Sequence, residues 1–136
     1  MTDDSDLDAI RDRKRKELQE RTGDSSGADE GAAPDDPVSI DETGGLDEFV
    51  ARHDVVLADF YADWCGPCKM MEPVIERVAA ETGAAVVKVD VDAHNALAAE
   101  YGVRGVPTFV IFVDGDPVER LVGAQDESRL RRLLAR

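Results

Sequence analysis

Residues 64–69 read Trp64-Cys65-Gly66-Pro67-Cys68-Lys69 and hold both cysteines of the 136-residue chain. The two thiols lie within one helical turn, and neither has a distant cysteine to pair with. A disulfide closing so small a loop is a poor staple, worth about 2 kcal/mol by loop entropy and less than one closing a long loop. The pair therefore suits reversible thiol–disulfide chemistry better than a structural role.

Outward from this hexapeptide the periodicity switches repeatedly. Val55-Val56-Leu57-Ala58-Asp59-Phe60-Tyr61 reads as a buried strand entering the cysteine segment. After it, Met70, Met71, Val74, Ile75 and Val78 fall at the spacing of a core-facing helix. Val86–Val91 is a second strand, and Val38-Ser39-Ile40 a shorter candidate ahead of Leu46, Phe49 and Val50 at helical spacing. Asp92 is in place to cap a short helix through Leu97 and Tyr101, closed by Gly102. Thr108–Val113 and Pro117–Val122 flank the turn Asp114-Gly115-Asp116, and Asp126 caps a last helix with Leu130, Leu133 and Leu134 inward. Strands alternating with helices and ending in a hairpin predict an α/β sheet, partly parallel and partly antiparallel, with helices on both faces.

In such a strand–turn–helix Cys65 stands at a helix N-terminus, where backbone N–H groups and the helix dipole favour a thiolate. Cys65 is then the exposed nucleophile. Cys68, on the same helix face and expected to be buried, is close enough to resolve a mixed disulfide. Pro67 fits the first turn, where its missing donor needs no partner. The rival chemistry is zinc, but one Cys-x-x-Cys supplies two ligands, and His53 and His94 lie in different elements without ligand spacing.

The stretch from Asp59 to Lys69 resembles the active-site segment of the thioredoxin family. Lys88-Val89-Asp90-Val91-Asp92, Tyr101-Gly102-Val103, Gly105-Val106-Pro107-Thr108 and Val122-Gly123-Ala124 resemble the rest of its pattern, in order and spacing, over about residues 38–136. Tyr61 departs from it, standing where many members have Trp. The resemblance implies a thioredoxin fold of about five mixed strands and about four helices. It implies protein-disulfide reduction through a reversible Cys65–Cys68 bond, with no cofactor and no metal. Asp59 would lie beneath the cysteines and assist proton transfer at the second one, with Lys88 near that carboxylate. From the residues alone, Asp59 pointing to solvent and Lys88 as an ordinary surface lysine stay open. A cis Val106–Pro107 bond would face the cysteines and free the Val106 backbone to pair with an extended substrate segment, although a trans proline is also tolerated at a strand start. Trp64, unless a plain core aromatic, would cover one side of the disulfide. Gly66 and Pro67 would border it, and Gly123 and Ala124 would keep the groove floor low. The implied partners are thioredoxin reductase and oxidised proteins such as peroxiredoxins, ribonucleotide reductase or methionine sulfoxide reductases, met by a monomer. An oxidase or isomerase, or a binding module whose N-terminal extension recruits partners, are the alternatives.

The chain carries 30 acidic residues against 16 basic ones, a net charge of −14. That argues against nucleic acid as the main partner. Residues 1–37 form an acidic extension. Residues 8–21 are a possible charged helix with the (i, i+4) pairs Asp12–Lys16, Arg13–Glu17 and Glu17–Arg21. Leu7, Ile10 and Leu18 make no continuous stripe, so this helix is expected to be marginal alone. The cluster Arg11, Arg13, Lys14, Arg15, Lys16 reads as a solvated, self-paired face. Residues 23–37 hold no large apolar side chain and read as a flexible linker. No apolar run approaches membrane-spanning length and the N-terminus has no secretory signature, so a cytoplasmic location is expected.

An excess of acid on this scale also suits a halophilic source. Screening reaches exposed charges about 10 Å apart at 0.1 M salt and about 3 Å apart at 1 M. The thermal midpoint should therefore rise steeply up to moderate NaCl and further in molar NaCl. A midpoint indifferent to salt would remove the salt-adaptation reading.

Overall fold

Val55–Tyr61 is a seven-residue strand, β2, whose five inner residues are all buried. The computed structural model describes residue 7, residues 9–13 and residues 33–135. The five-stranded sheet has the order β1-β3-β2-β4-β5, with β1 Val38–Ser39, β3 Ala85–Asp90, β4 Thr108–Val113 and β5 Asp116–Val122. β3 runs parallel to both β1 and β2, while β4 is antiparallel to β2 and to β5. Within residues 38–135 four α-helices accompany it: α1 Leu46–Arg52, α2 Gly66–Glu81, α3 Asn95–Glu100 and α4 Glu127–Leu134. The expected mixed α/β sheet is thus realised, with strand ends shifted by a residue.

Side-chain alternation along β2 divides the core in two. Val56, Ala58 and Phe60 pack with Phe49, Val50, Tyr101 and Phe112 on the α1/α3 face. Leu57 packs with Met71, Ile75, Val78, Phe109 and Leu130 on the α2/α4 face. A guanidinium–carboxylate cluster then ties α4 to α2. Glu127 takes Arg77 at 2.7 Å and Arg131 at 2.8 Å, and Arg131 also reaches Glu81 at 2.6 Å. Hydrogen bonds from the two arginines hold the Glu127 carboxyl down to about 2. The β4–β5 turn has Asp114 and Gly115 both at positive φ, 53° and 87°, as a two-residue hairpin loop requires.

Three expectations need correction. Met70 does not face the core: it is 76% exposed, and Met71, Ile75 and Val78 carry the buried stripe. A helix turns 100° per residue, so Met70 at the edge of the stripe is carried away from the sheet while Met71 stays on it. Asp92 does not cap α3, whose N-cap is His94 without a side-chain bond. The chain makes a turn after β3 that separates Asp92 from the helix.

The third concerns the extension. Residues 7 and 9–13 are helical, and Leu7 and Ile10 are buried. Ile10 belongs to the α1/α3 core with Ile40, Phe49 and Tyr101, and Arg13 pairs with Glu100 of α3 at 3.2 Å. The beginning of the extension therefore packs on the domain, although its apolar residues are sparse. Ala33, within the expected linker, packs partly against the same core. Lys16, Glu17 and Arg21, needed for the expected pairs Asp12–Lys16, Arg13–Glu17 and Glu17–Arg21, lie outside the described residues, as do residues 23–32 of the linker.

Ile10→Ala should lower unfolding free energy by about 1–2 kcal/mol, toward the small end for a buried aliphatic side chain because the site is peripheral. Arg13→Ala should cost under about 1 kcal/mol, as exposed pairs do. Urea unfolding of the full chain checks both, and an Ile10→Ala midpoint equal to wild type would mean that the segment does not dock.

Candidate active site

The chain leaves β2 at Tyr61 and turns at once, Cys65 N–H donating to the Ala62 carbonyl at 3.2 Å. Cys65 is the N-cap of α2, and its sulfur accepts the backbone N–H of Cys68 at 3.1 Å. Pro67 sits in the first turn, where no donor is missed. Cys65 and Cys68 are joined in a disulfide with their Cα atoms 5.3 Å apart. The expected contrast in exposure is absent from this oxidised state: Cys65 is 4% and Cys68 6% exposed. Both are enclosed by Ala62, Tyr61, Val91 and Val106. What separates the two is helix position, since only Cys65 stands where the free N–H groups point.

The Val106–Pro107 peptide is cis. Val106 packs against the cysteine cluster, and the Pro107 carbonyl accepts the Gly123 N–H at 2.8 Å, so the start of β4 and the end of β5 meet beside the disulfide. Gly66 and Pro67 are exposed at the opening of α2. Trp64 is 71% exposed, which rules out a core role, and its indole N–H donates to Asp92 at 2.9 Å. Met70 and Val122, at 76% and 70%, are the other large apolar side chains left open to solvent among the described residues. Sequence reasoning names none of Asp92, Met70 and Val122 as site residues. Asp92 carries no local signal, because its partner lies 28 residues away.

Asp59 lies on the α2/α4 face of β2 and is 4% exposed, so the solvent-facing alternative fails. Burial pushes its carboxyl up to about 7, Lys88 opposing and Glu72 adding to the shift. Lys88 is its register partner on β3. The Lys88 ammonium sits 3.9 Å from Glu72 and 4.5 Å from the centre of the Tyr61 ring. The histidines of the zinc alternative are engaged elsewhere, His53 against the Phe49 ring and His94 with Asp41 at 2.9 Å.

A cysteine pair at a helix N-terminus, beside a cis-proline loop, is a dithiol–disulfide centre. The family model for thioredoxin matches residues 38–136. A thioredoxin of Chlamydia caviae is 43% identical over 98 residues, covering 71% of this chain and 95% of that protein. Among solved structures, a single-residue mutant of a thioredoxin from Halobacterium salinarum is 57% identical, with TM-score 0.73, covering 76% of this chain and 92% of its own. A chain from a structure of thiol resolution in a yeast mitochondrial 1-Cys peroxiredoxin, via glutathione and thioredoxin systems, is 31% identical. Its TM-score is 0.61, covering 76% of this chain and 97% of its own. The chain belongs to the thioredoxin family. It is a thiol–disulfide oxidoreductase with protein-disulfide reductase activity.

The buried acid has a stability consequence. The Asp59 carboxyl titrates near 3.8 when unfolded and near 7 when folded, so the folded state binds the proton more tightly. Its contribution to stability is intact below about pH 4 and is lost as pH rises through 7. The separation of about three units corresponds to about 4 kcal/mol above pH 7. Asp59→Asn should be close to neutral at pH 4 and stabilising by up to that amount at pH 8. Urea unfolding at the two pH values checks this, and an equal effect at both would contradict the raised carboxyl.

Proposed function

We propose that Cys65 is the attacking thiol and Cys68 the resolving one, in a general reductant of protein disulfides. The single observation that carries this reading is the position of Cys65 as the N-cap of α2. In the reduced protein the Cys65 thiolate attacks one sulfur of a target disulfide. A mixed disulfide forms and the first target thiolate leaves. Asp59 accepts the Cys68 proton, and the Cys68 thiolate then attacks the Cys65 sulfur. The Cys65–Cys68 bond forms and the second target sulfur leaves with the electron pair, taking up a proton. The protein has lost two electrons and the target has gained them. A carboxyl near 7 is matched to this task, because it both accepts and releases a proton at working pH. Lys88 tunes that carboxyl from the neighbouring strand.

Substrate binding is assigned to the exposed rim of Trp64, Gly66 and Pro67 on one side, with Val106, Pro107 and Gly123 forming the other. Val106 offers backbone groups to an extended target segment, in the manner of strand addition. The cysteine pair carries both electrons, so no cofactor is required. Thioredoxin reductase returns the disulfide to the dithiol. Oxidised peroxiredoxins, ribonucleotide reductase and methionine sulfoxide reductases are the proposed targets. The yeast peroxiredoxin work from which a similar chain comes supports the first of these. We assign the protein to the cytoplasm, where a catalytic disulfide is more usual than a structural one, acting as a monomer kept apart from its copies by its charge. The halobacterial relative and the net charge of −14 support a salt-rich source. A partner-recruiting extension draws no support from Ile10 and Arg13, which the domain itself engages.

Cys68→Ser should accumulate covalent complexes with target proteins in cell extract, released by dithiothreitol. Cys65→Ser should trap none and should lose insulin-disulfide reduction, by at least about a hundredfold for removal of a covalent nucleophile. Trapping by Cys65→Ser in place of Cys68→Ser would reverse the two roles.

A further inference from the structure

Asp59 and Glu72 compete for one ammonium, and the buried partner does not win it. Lys88 stands in register with Asp59 across the β2–β3 ladder. Among the described residues, however, the ion pair of Lys88 is with Glu72, at 3.9 Å, and its other contact is the Tyr61 ring at 4.5 Å. These three side chains come from separate elements: Glu72 from the second turn of α2, Lys88 from β3 and Tyr61 from the end of β2. Glu72 and Lys88 also line a cleft of about 330 Å³ whose rim includes Asp36 and Glu76. We propose that Glu72 is a positioning residue of the redox centre: it anchors the Lys88 ammonium in this cleft, over Tyr61 and away from the Asp59 carboxyl.

The Asp59 carboxyl responds to a balance of neighbours. Three neighbouring elements meet the Asp59 carboxyl. β3 presents Lys88, α2 presents Glu72, and β4 presents Phe109, its uncharged register partner. Tyr61 follows on the same strand, and the oxidised cysteines do not titrate. Lys88 is therefore the cation that acts on Asp59 among the described residues, and an ammonium moved onto a buried carboxylate favours its ionised form strongly. A lysine has a long flexible stem and three donors, so nothing in its own chemistry fixes it on Tyr61. Glu72, half in solvent, supplies the fixed point without the desolvation that a pair with Asp59 would require. The consequence is that Asp59 keeps its proton into the neutral range. Its use in turnover rests on the proton-transfer role proposed above; the positioning itself does not.

The test follows the Asp59 carboxyl carbon by NMR against pH in the oxidised full-length protein at about 0.1 M salt, where neither cysteine titrates. Glu72→Gln should lower the Asp59 midpoint by about half a pH unit or more, from loss of one negative neighbour and release of Lys88 toward Asp59. Glu76→Gln removes an equal charge from the same cleft without touching Lys88 and should move the midpoint by less than half as much. In a Lys88→Gln background, Glu72→Gln should also have less than half its effect. An unmoved midpoint in Glu72→Gln, or an equal shift with Lys88 absent, overturns the proposal. Insulin reduction by Asp59→Asn separates the two claims. Wild-type turnover there refutes the proton-transfer role alone, while the carboxyl titrations still decide the place of Lys88.

Discussion

β2 runs through the middle of the sheet, hydrogen-bonded to a parallel neighbour on one edge and an antiparallel one on the other, and its register dictates where the chemistry sits. Because successive residues alternate faces, fixing Leu57 against α2 turns Asp59 to the same face and sends Phe60 to the opposite core. The parallel ladder sets Lys88 beside Asp59. The antiparallel ladder sets Thr108 opposite Phe60, so the cis Val106–Pro107 bond just before β4 arrives at the cysteines. A one-residue slip would reverse all of these placements. The strand that holds the core together is thereby also the ruler for the site.

The second constraint is electrostatic. α2 begins soon after β2, so its uncompensated N–H groups point at Cys65, while the Asp59 carboxyl is buried. A helix end favours the anionic thiolate and burial disfavours the anionic carboxylate. The acidic surface is managed separately, by arginines that bridge Glu127 and Glu81 between α2 and α4.

Much of this was legible in the chain. The unbroken run from Val55 to Tyr61, the turn at Asp114-Gly115 and the cap at Asp126 are local signals, and each element formed where its residues predicted. The Val106–Pro107 bond is cis, and Val106 packs with Cys65 and Cys68. What failed was long-range or finer than the helical period. Met70 and Met71 are adjacent, and periodicity cannot choose between neighbours at the edge of a stripe. Asp92 has the composition of a cap, but the indole of Trp64, brought near by the fold, claims its carboxylate. Leu7 and Ile10 make too short an apolar pattern to nucleate a helix alone, yet two buried side chains and the Arg13–Glu100 pair seat one against a finished core.

The claim at the centre of this account is that helix position, rather than exposure, distinguishes two almost equally enclosed sulfurs. Its most direct test is iodoacetamide labelling of the fully reduced protein at pH 7, with the modified residue located by mass spectrometry over a time course. The account predicts that Cys65 is carboxamidomethylated first, with Cys68 following much more slowly. Cys68 reacting first, or both at one rate, would contradict it.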